Sequence, residues 1–153
     1  MAESVDEGKQ AKLHQTILCF DYGTKTIGVA VGQTITKTAN PLTDLKARDG
    51  IPNWEDIAKI IEEWRPNLLL IGLPLNMDGS FSAISQRAKK FANRLHGRFG
   101  LPIAMADERL SSFEAKGEII QQTGSRHFKA QNIDSLAAKI ILESWFQQND
   151  SPL

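Results

Sequence analysis

One cysteine, three histidines and one tyrosine are all that the 153 residues hold of those side chains, and positive and negative charges cancel at 18 each. The lone thiol, Cys19, lies in the first apolar run; it excludes an internal disulfide and reads as a buried strand residue rather than a nucleophile or ligand. Zero net charge excludes a global basic field, so any surface for nucleic acid has to arise from local segregation of charge. No apolar run approaches the roughly 20 residues of a membrane span, and the opening MAESVDEGKQ lacks the basic-then-apolar order of a signal peptide. The expectation is a cytoplasmic protein with no membrane partner. Repeats and low-complexity tracts are missing too. What remains is enough for a core: a 41% hydrophobic chain of this length makes one domain and leaves little room for a second.

Residues 1–15 carry no periodic apolar face and are expected to form a polar, flexible tail, with a single domain over 16–148 and a short C-terminal tail over 149–153. Ile17, Leu18, Cys19 and Phe20 form a near-continuous apolar strand that ends at Asp21, and Thr26 to Gly32 reads as a second strand after a glycine-marked reversal. Thr36 to Leu42 reads as a short edge strand, since Pro41 argues against a long central one. Asn53 is placed to cap a helix with Trp54, Ile57, Ile60, Ile61 and Trp64 at helical spacing, stopped by Pro66. Leu68 to Ile71 is a buried strand, Ser82 to Phe99 a long helix, and Pro102 to Ala106 a further strand. A helix over about Ser111 to Gln122, the polar break TGSRHFKAQN and a last helix from Ile133 to about Phe146 complete the order. In that helix Ile133, Ala137, Ile140, Ile141 and Ser144 are expected on the buried side, and small Ala137 and Ala138 should let it approach the sheet closely. Strands alternating with helices after an initial hairpin predict an α/β fold, a mixed central sheet flanked by helices.

Three acidic positions stand where regular elements end or begin: Asp21 after the first strand, Asp107-Glu108 after the last, and Asp134 at the start of the final helix. Adjacent residues of an extended chain point to opposite faces, so Asp107 and Glu108 do not serve one site equally. Glu108 is favoured as the interior carboxylate, partly on the resemblance given below, and Asp107 as a turn or orienting group. Asp134 has an ordinary reading as well, that of a carboxylate meeting free amides in the first helical turn. Gathering Asp21, Glu108 and Asp134 is costly without compensation, and Mg2+ or Mn2+ supplies it through hard oxygen coordination. Two such ions would activate water for in-line attack on a phosphodiester and leave 5′-phosphate and 3′-hydroxyl ends.

Phosphate contacts are expected from Lys25 and Arg109, which neighbour the acidic segments, from Arg87, Lys90 and Arg94 on the long helix, which has no acidic partner of its own on that stripe, and from Arg126 and Lys129 in the polar break. The same side chains have plain readings as solvated rims or as charge balance for the carboxylates. Of the histidines, His127 is better placed to meet substrate than His14 or His96, and Phe128 beside it reads as loop packing or as a stacking ring. Asp78 in NMDGS reads chiefly as a turn former.

The segments DYGTKTIGVAVG, IGLPLNMDGS, DERLSSFEA and IDSLAAKIILESW, in this order between Ile17 and Trp145, resemble the signatures of the YqgF family, also called the RuvX-like Holliday junction resolvases. The resemblance implies an RNase H-like fold, a metal-dependent nuclease with Asp21, Glu108 and Asp134 as its acidic set, and work in maturing the 5′ end of the small-subunit ribosomal RNA. It implies RNA precursor as the preferred partner, with ribosomal precursor proteins alongside, and branched DNA as the alternative, in a monomer or homodimer. GSRHFKAQNIDS is less basic than the corresponding stretch of many relatives, which weakens the expected grip on substrate. Two other classes stay open: a non-catalytic nucleic-acid-binding protein, and an actin-like phosphotransferase, for which the chain lacks a second comparable domain.

Overall fold

The computed structural model describes residues 15–110 and 133–149. A six-stranded sheet is built from β1 (Thr16–Asp21), β2 (Thr26–Gln33), β3 (Thr38–Arg48), β4 (Ile51–Pro52), β5 (Leu68–Leu73) and β6 (Ile103–Asp107), in the order β4-β3-β2-β1-β5-β6. β1 to β4 pair antiparallel as successive hairpins, whereas β5 and β6 run parallel to β1 after helical crossovers. The sheet is therefore mixed, as the alternation of elements predicts. The helices are α1 (Trp54–Trp64), α2 (Ala83–Phe99) and α3 (Ile133–Gln148). Among the described residues, no helix is long and apolar enough to cross a membrane.

Strand alternation divides the core between the two faces. Leu18 and Phe20 of β1, Ile27, Val29 and Val31 of β2 and Leu69 and Ile71 of β5 pack with Ile57 of α1 and Ala88, Phe91 and Leu95 of α2. Ile17, Cys19, Ala30, Leu70 and Ala106 meet Ala138, Ile141, Leu142 and Phe146 of α3 on the other face. Local signals fix the helix ends. The Asn53 side chain accepts from the Glu55 amide at 3.0 Å, Ser82 and Ser85 form a capping box, and α2 stops at left-handed Gly100.

Two sequence expectations change. The third strand is eleven residues long and lies inside the sheet, not a short edge strand ending at Leu42. A bulge accommodates Pro41: Ala30 pairs with Pro41 and Val29 with Thr43, leaving Leu42 as the extra residue. On α3, Ala138, Ile141 and Leu142 are fully or almost fully buried, whereas Ala137 and Ser144 are half-exposed. The contact surface is thus rotated from the expected one, and glycines of the sheet, rather than Ala137, permit the close approach. A Cβ on Gly32 would stand 2.7 Å from Leu142 Cδ2 and 2.9 Å from Phe146 Cε2. The helix expected over Ser111 to Gln122 lies outside the described residues, as do both tails apart from Gln15 and Asn149.

Candidate active site

Asp21 closes β1 at the end where the parallel strands β5 and β6 also terminate, the edge at which open α/β sheets present functional groups. Its alternation with Ile17 and Cys19 puts it on the α3 face. The neighbouring strands offer it glycines. Gly28 of β2 is its register partner, and Gly72 of β5 lies one step beyond the Phe20–Ile71 pair. Half-buried Asp21 is thus flanked by two positions without side chains, which leaves room above the strand end for other groups.

Both vacancies are used by an acidic residue. A Cβ on Gly72 would come within 2.7 Å of Glu108 Oε2 and 3.0 Å of Ile141 Cδ1, so the Glu108 carboxylate lies over Gly72 on the α3 face. The short 3₁₀ turn Glu108–Leu110 that follows β6 turns it there. A Cβ on Gly28 would overlap the Asp134 carbonyl and stand 2.7 Å from the Ser135 amide nitrogen, so the first turn of α3 is seated directly on β2. The Thr26 hydroxyl donates to Asp134 Oδ2, holding that carboxylate to the same strand. Asp21, Glu108 and Asp134, from three distant segments, thus share one face and one edge. As placed, no three His, Cys, Asp or Glu side chains among the described residues are gathered closely enough to hold a metal ion. The fit to a divalent cation is therefore one of face, edge and hard carboxylate donors rather than of a closed ligand shell.

Asp107 goes the other way. It shares the face of Ile103 and Met105 and takes Arg109 through Nη2 at 2.7 Å and Nε at 3.1 Å. The Arg109 guanidinium holds the Asp107 carboxyl below the usual carboxylate range, against a smaller opposing effect of burial. Nη1 of Arg109 also donates to the Met77 carbonyl at 3.1 Å. This arginine ties the Met77–Gly79 loop to the strand end and so performs the charge-balancing role that the sequence left open beside phosphate binding. Asp78 accepts from the Ser80 amide at 2.9 Å and hydroxyl at 2.6 Å, as an Asx turn does.

One cation of α2, Arg87, finds an acidic partner, and it comes from another element. Arg87 donates to the Asp49 carbonyl at 2.6 Å and to its carboxylate at 3.1 Å, from the turn between β3 and β4. Lys90 and Arg94 line the same cavity as Arg87, whereas Lys25 is exposed in the β1–β2 turn. Arg126, His127, Phe128 and Lys129 lie outside the described residues.

The residue that sequence reasoning missed is Asp44. Its Oδ1 accepts the Ser135 amide at 2.7 Å, capping α3 from the strand beside Gly28, and its Oδ2 is buried without a hydrogen-bond partner in this structure. Burial pushes the Asp44 carboxyl up from 3.8, hydrogen bonds from Ser135 oppose the rise, and the Asp134 charge adds to it. The bulge hides this acid from pattern reading. Ala39 faces α3, the extra residue at Leu42 shifts the alternation by one, and Asp44 therefore faces α3 as well.

A carboxyl that holds its proton more tightly folded than unfolded contributes stability that is fully present below about pH 3.8 and is lost as the pH rises through its folded pKa. Asp44→Asn keeps the acceptor for Ser135 and removes the titration. Urea unfolding at about pH 4 and about pH 7 should show the variant gaining stability over the wild type as the pH rises. Equal pH dependence in the two proteins would contradict this placement.

Residues 15–148 match the RuvX family, described as Holliday junction resolvase. Similar curated proteins include one named "Putative pre-16S rRNA nuclease" in Haemophilus ducreyi, 60% identical over 134 residues that cover 88% of this chain and 97% of that protein. Its namesake in Photobacterium profundum is 58% identical over 135 residues, covering 88% of this chain and 95% of that one. Among solved structures, RuvC of Thermus thermophilus in complex with a Holliday junction substrate superposes with a TM-score of 0.53 at 14% identity, covering 90% of this chain and 96% of that one. At that identity the likeness is one of fold, the RNase H-like arrangement of a mixed sheet between helices.

Proposed function

The chain belongs to the RuvX family, and from that premise we propose that it is a divalent-metal-dependent endonuclease that matures the 5′ end of the small-subunit ribosomal RNA precursor in the cytoplasm. The observation that carries the reading is the placement of Asp21, Glu108 and Asp134 on one face of one sheet edge, where Gly28 and Gly72 make room for the segments that bring the other two carboxylates to Asp21's side. A bound cation would draw these separated carboxylates together and offset the repulsion that closing the set brings.

Asp21, Glu108 and Asp134 would hold Mg2+ or Mn2+, the cations that suit an all-carboxylate set. When bound, the cation supplies a nucleophilic water and stabilises the charge that develops on the phosphate and the leaving 3′-oxygen. The protein fixes the ligands: Asp21 by its place at the strand end, Asp134 through Thr26 and the seat on Gly28, and Glu108 through the turn over Gly72. Arg109, tied to Asp107 and the Met77 carbonyl, stiffens the loop on the opposite face. Lys25, Arg87, Lys90 and Arg94 would meet the nucleic-acid backbone, as would Arg126 and Lys129.

Branched DNA is the second reading, favoured by the family's description and by the fold shared with a resolvase. Incubation with precursor RNA and with a four-way DNA junction, in magnesium, manganese or chelator and with both ends of each product mapped, separates the two. The expected result is metal-dependent cutting of the precursor that leaves 5′-phosphate and 3′-hydroxyl ends. Paired symmetric cuts in the junction, with the precursor left intact, would transfer the assignment to resolution and would require two active sites in a dimer. Metal-independent binding without cleavage of either substrate would leave a non-catalytic binding protein.

A further inference from the structure

Tyr22 follows Asp21 and, by alternation, turns to the opposite face of the sheet, where its ring packs on Phe91 of α2 with centroids 5.2 Å apart. Its hydroxyl rests against Gly50, where a Cβ would overlap it, and Gly50 also has a φ of +81°, which favours glycine independently. The β3–β4 turn is in this way fitted against the phenol. Arg87 reaches the same turn from α2 and is fixed there by the carbonyl and carboxylate of Asp49. Tyr22, Asp49, Gly50, Ile51, Phe91 and the side chains of Arg87, Lys90 and Arg94 line an open cavity of about 200 Å³.

Charge sets this cavity apart from the rest of the helix. Three cationic side chains face one carboxylate, and among the described residues neither Lys90 nor Arg94 makes an ion pair. Neighbouring cations have ring partners instead: Lys89 lies 6.0 Å from the Phe81 ring centroid and Arg98 lies 4.2 Å from that of Trp54. Arg87, held on Asp49, keeps a planar guanidinium in a fixed orientation at the wall, while exposed Lys90 and Arg94 form a rim open to solvent. The cavity offers no ring face to a base, because Phe91 and Tyr22 are only 3% and 8% exposed and pack on each other. Its chemistry suits an anion with several oxygens rather than a nucleobase.

We propose that this cavity binds one phosphate group of the substrate strand other than the phosphate cut at Asp21. The inference rests on the nuclease reading for the identity of the strand. Asp21 and Tyr22 are consecutive residues at the end of β1 with side chains on opposite faces of the sheet, so a nucleic-acid strand that rounds this end can meet the carboxylates on one face and the cavity on the other. A phosphate seated there fixes the register of the strand over the carboxylate edge, which a set of acidic groups cannot do by itself. A free phosphate or mononucleotide offers the cavity the same group but lacks the neighbouring phosphates that bring a strand to both sites.

The experiment measures binding of a short labelled single-stranded RNA, in chelator, to the wild type, to Asp21→Asn and to the double variant Lys90→Gln/Arg94→Gln, over a range of salt. Both rim positions are exposed, and circular dichroism confirms folding. The double variant is expected to lose about tenfold or more in affinity, and the slope of log affinity against log salt should fall by about 0.7, the value for one phosphate contact on a single strand. Asp21→Asn should retain the cavity's contribution. Unchanged affinity and slope in the double variant overturn the proposal. So does uridine 5′-monophosphate binding that is lost in the double variant while RNA binding is not, which would make the ligand a free nucleotide. Loss of RNA binding in the double variant, from a wild type that cuts nothing once magnesium or manganese is supplied, would sink the nuclease reading and keep the cavity. Cleavage by a wild type whose binding the double variant shares would sink the cavity alone.

Discussion

Asp21→Asn should lower the rate of precursor cleavage by about a thousandfold or more while leaving the thermal unfolding transition close to that of the wild type. The exchange preserves shape and one acceptor oxygen at a half-buried strand end, so packing changes little. What it removes is the negative charge at the centre of the acidic face, between Gly28 and Gly72. Initial rates on precursor RNA, set beside melting curves, check both halves of the expectation. A variant that cuts within about tenfold of the wild type would place the chemistry elsewhere. Asp107→Asn is the informative contrast: that carboxylate is neutralised by Arg109 on the other face, so the change should loosen the Met77–Gly79 loop without comparable loss of rate.

The largest effect on stability is expected at Gly28. A methyl group there would run into the Asp134 backbone and approach the Ser135 amide to 2.7 Å, and backbone has no rotamer by which to escape. Either α3 lifts from β2 or β2 bends away from α3, and both options separate Asp134 from Thr26. Gly28→Ala should therefore cost about 3 kcal/mol, the upper end for overpacking, and lower the melting temperature by about 6–12 °C. Cleavage should fall even well below that temperature, since the displaced element carries Asp134. A variant with a wild-type melting temperature would mean that the first turn of α3 does not sit where the structure puts it.

These two glycine-lined seats also mark where sequence reading stopped. Hydrophobic periodicity and end signals revealed β1, β2, β5, α1 and α2 closely, because Asn53 and Pro66 act locally and the apolar runs are short and clean. β3 was cut short because Pro41 is disfavoured inside a sheet, and only its pairing partner shows that a bulge absorbs it. The same bulge concealed Asp44. The roles of Gly28 and Gly72 depend on what lies above them, and the groups above them come from segments far away in the chain. Asp21, Glu108 and Asp134 stood out because each sits at the end of an element, but their common face follows from strand order, which no local pattern encodes. The counter-charge of Arg87 was missed for the same reason, since Asp49 reaches it across 38 positions of sequence.

Manganese titration of the wild type, Asp21→Asn, Glu108→Gln and Asp134→Asn, followed by calorimetry or by the resonance of the free ion, tests most directly whether these three carboxylates act as one metal-binding edge. The account predicts that each change to an amide weakens manganese binding about tenfold or more, with melting temperatures preserved. Binding that is indifferent to all three, or that depends on one of them alone, would contradict it.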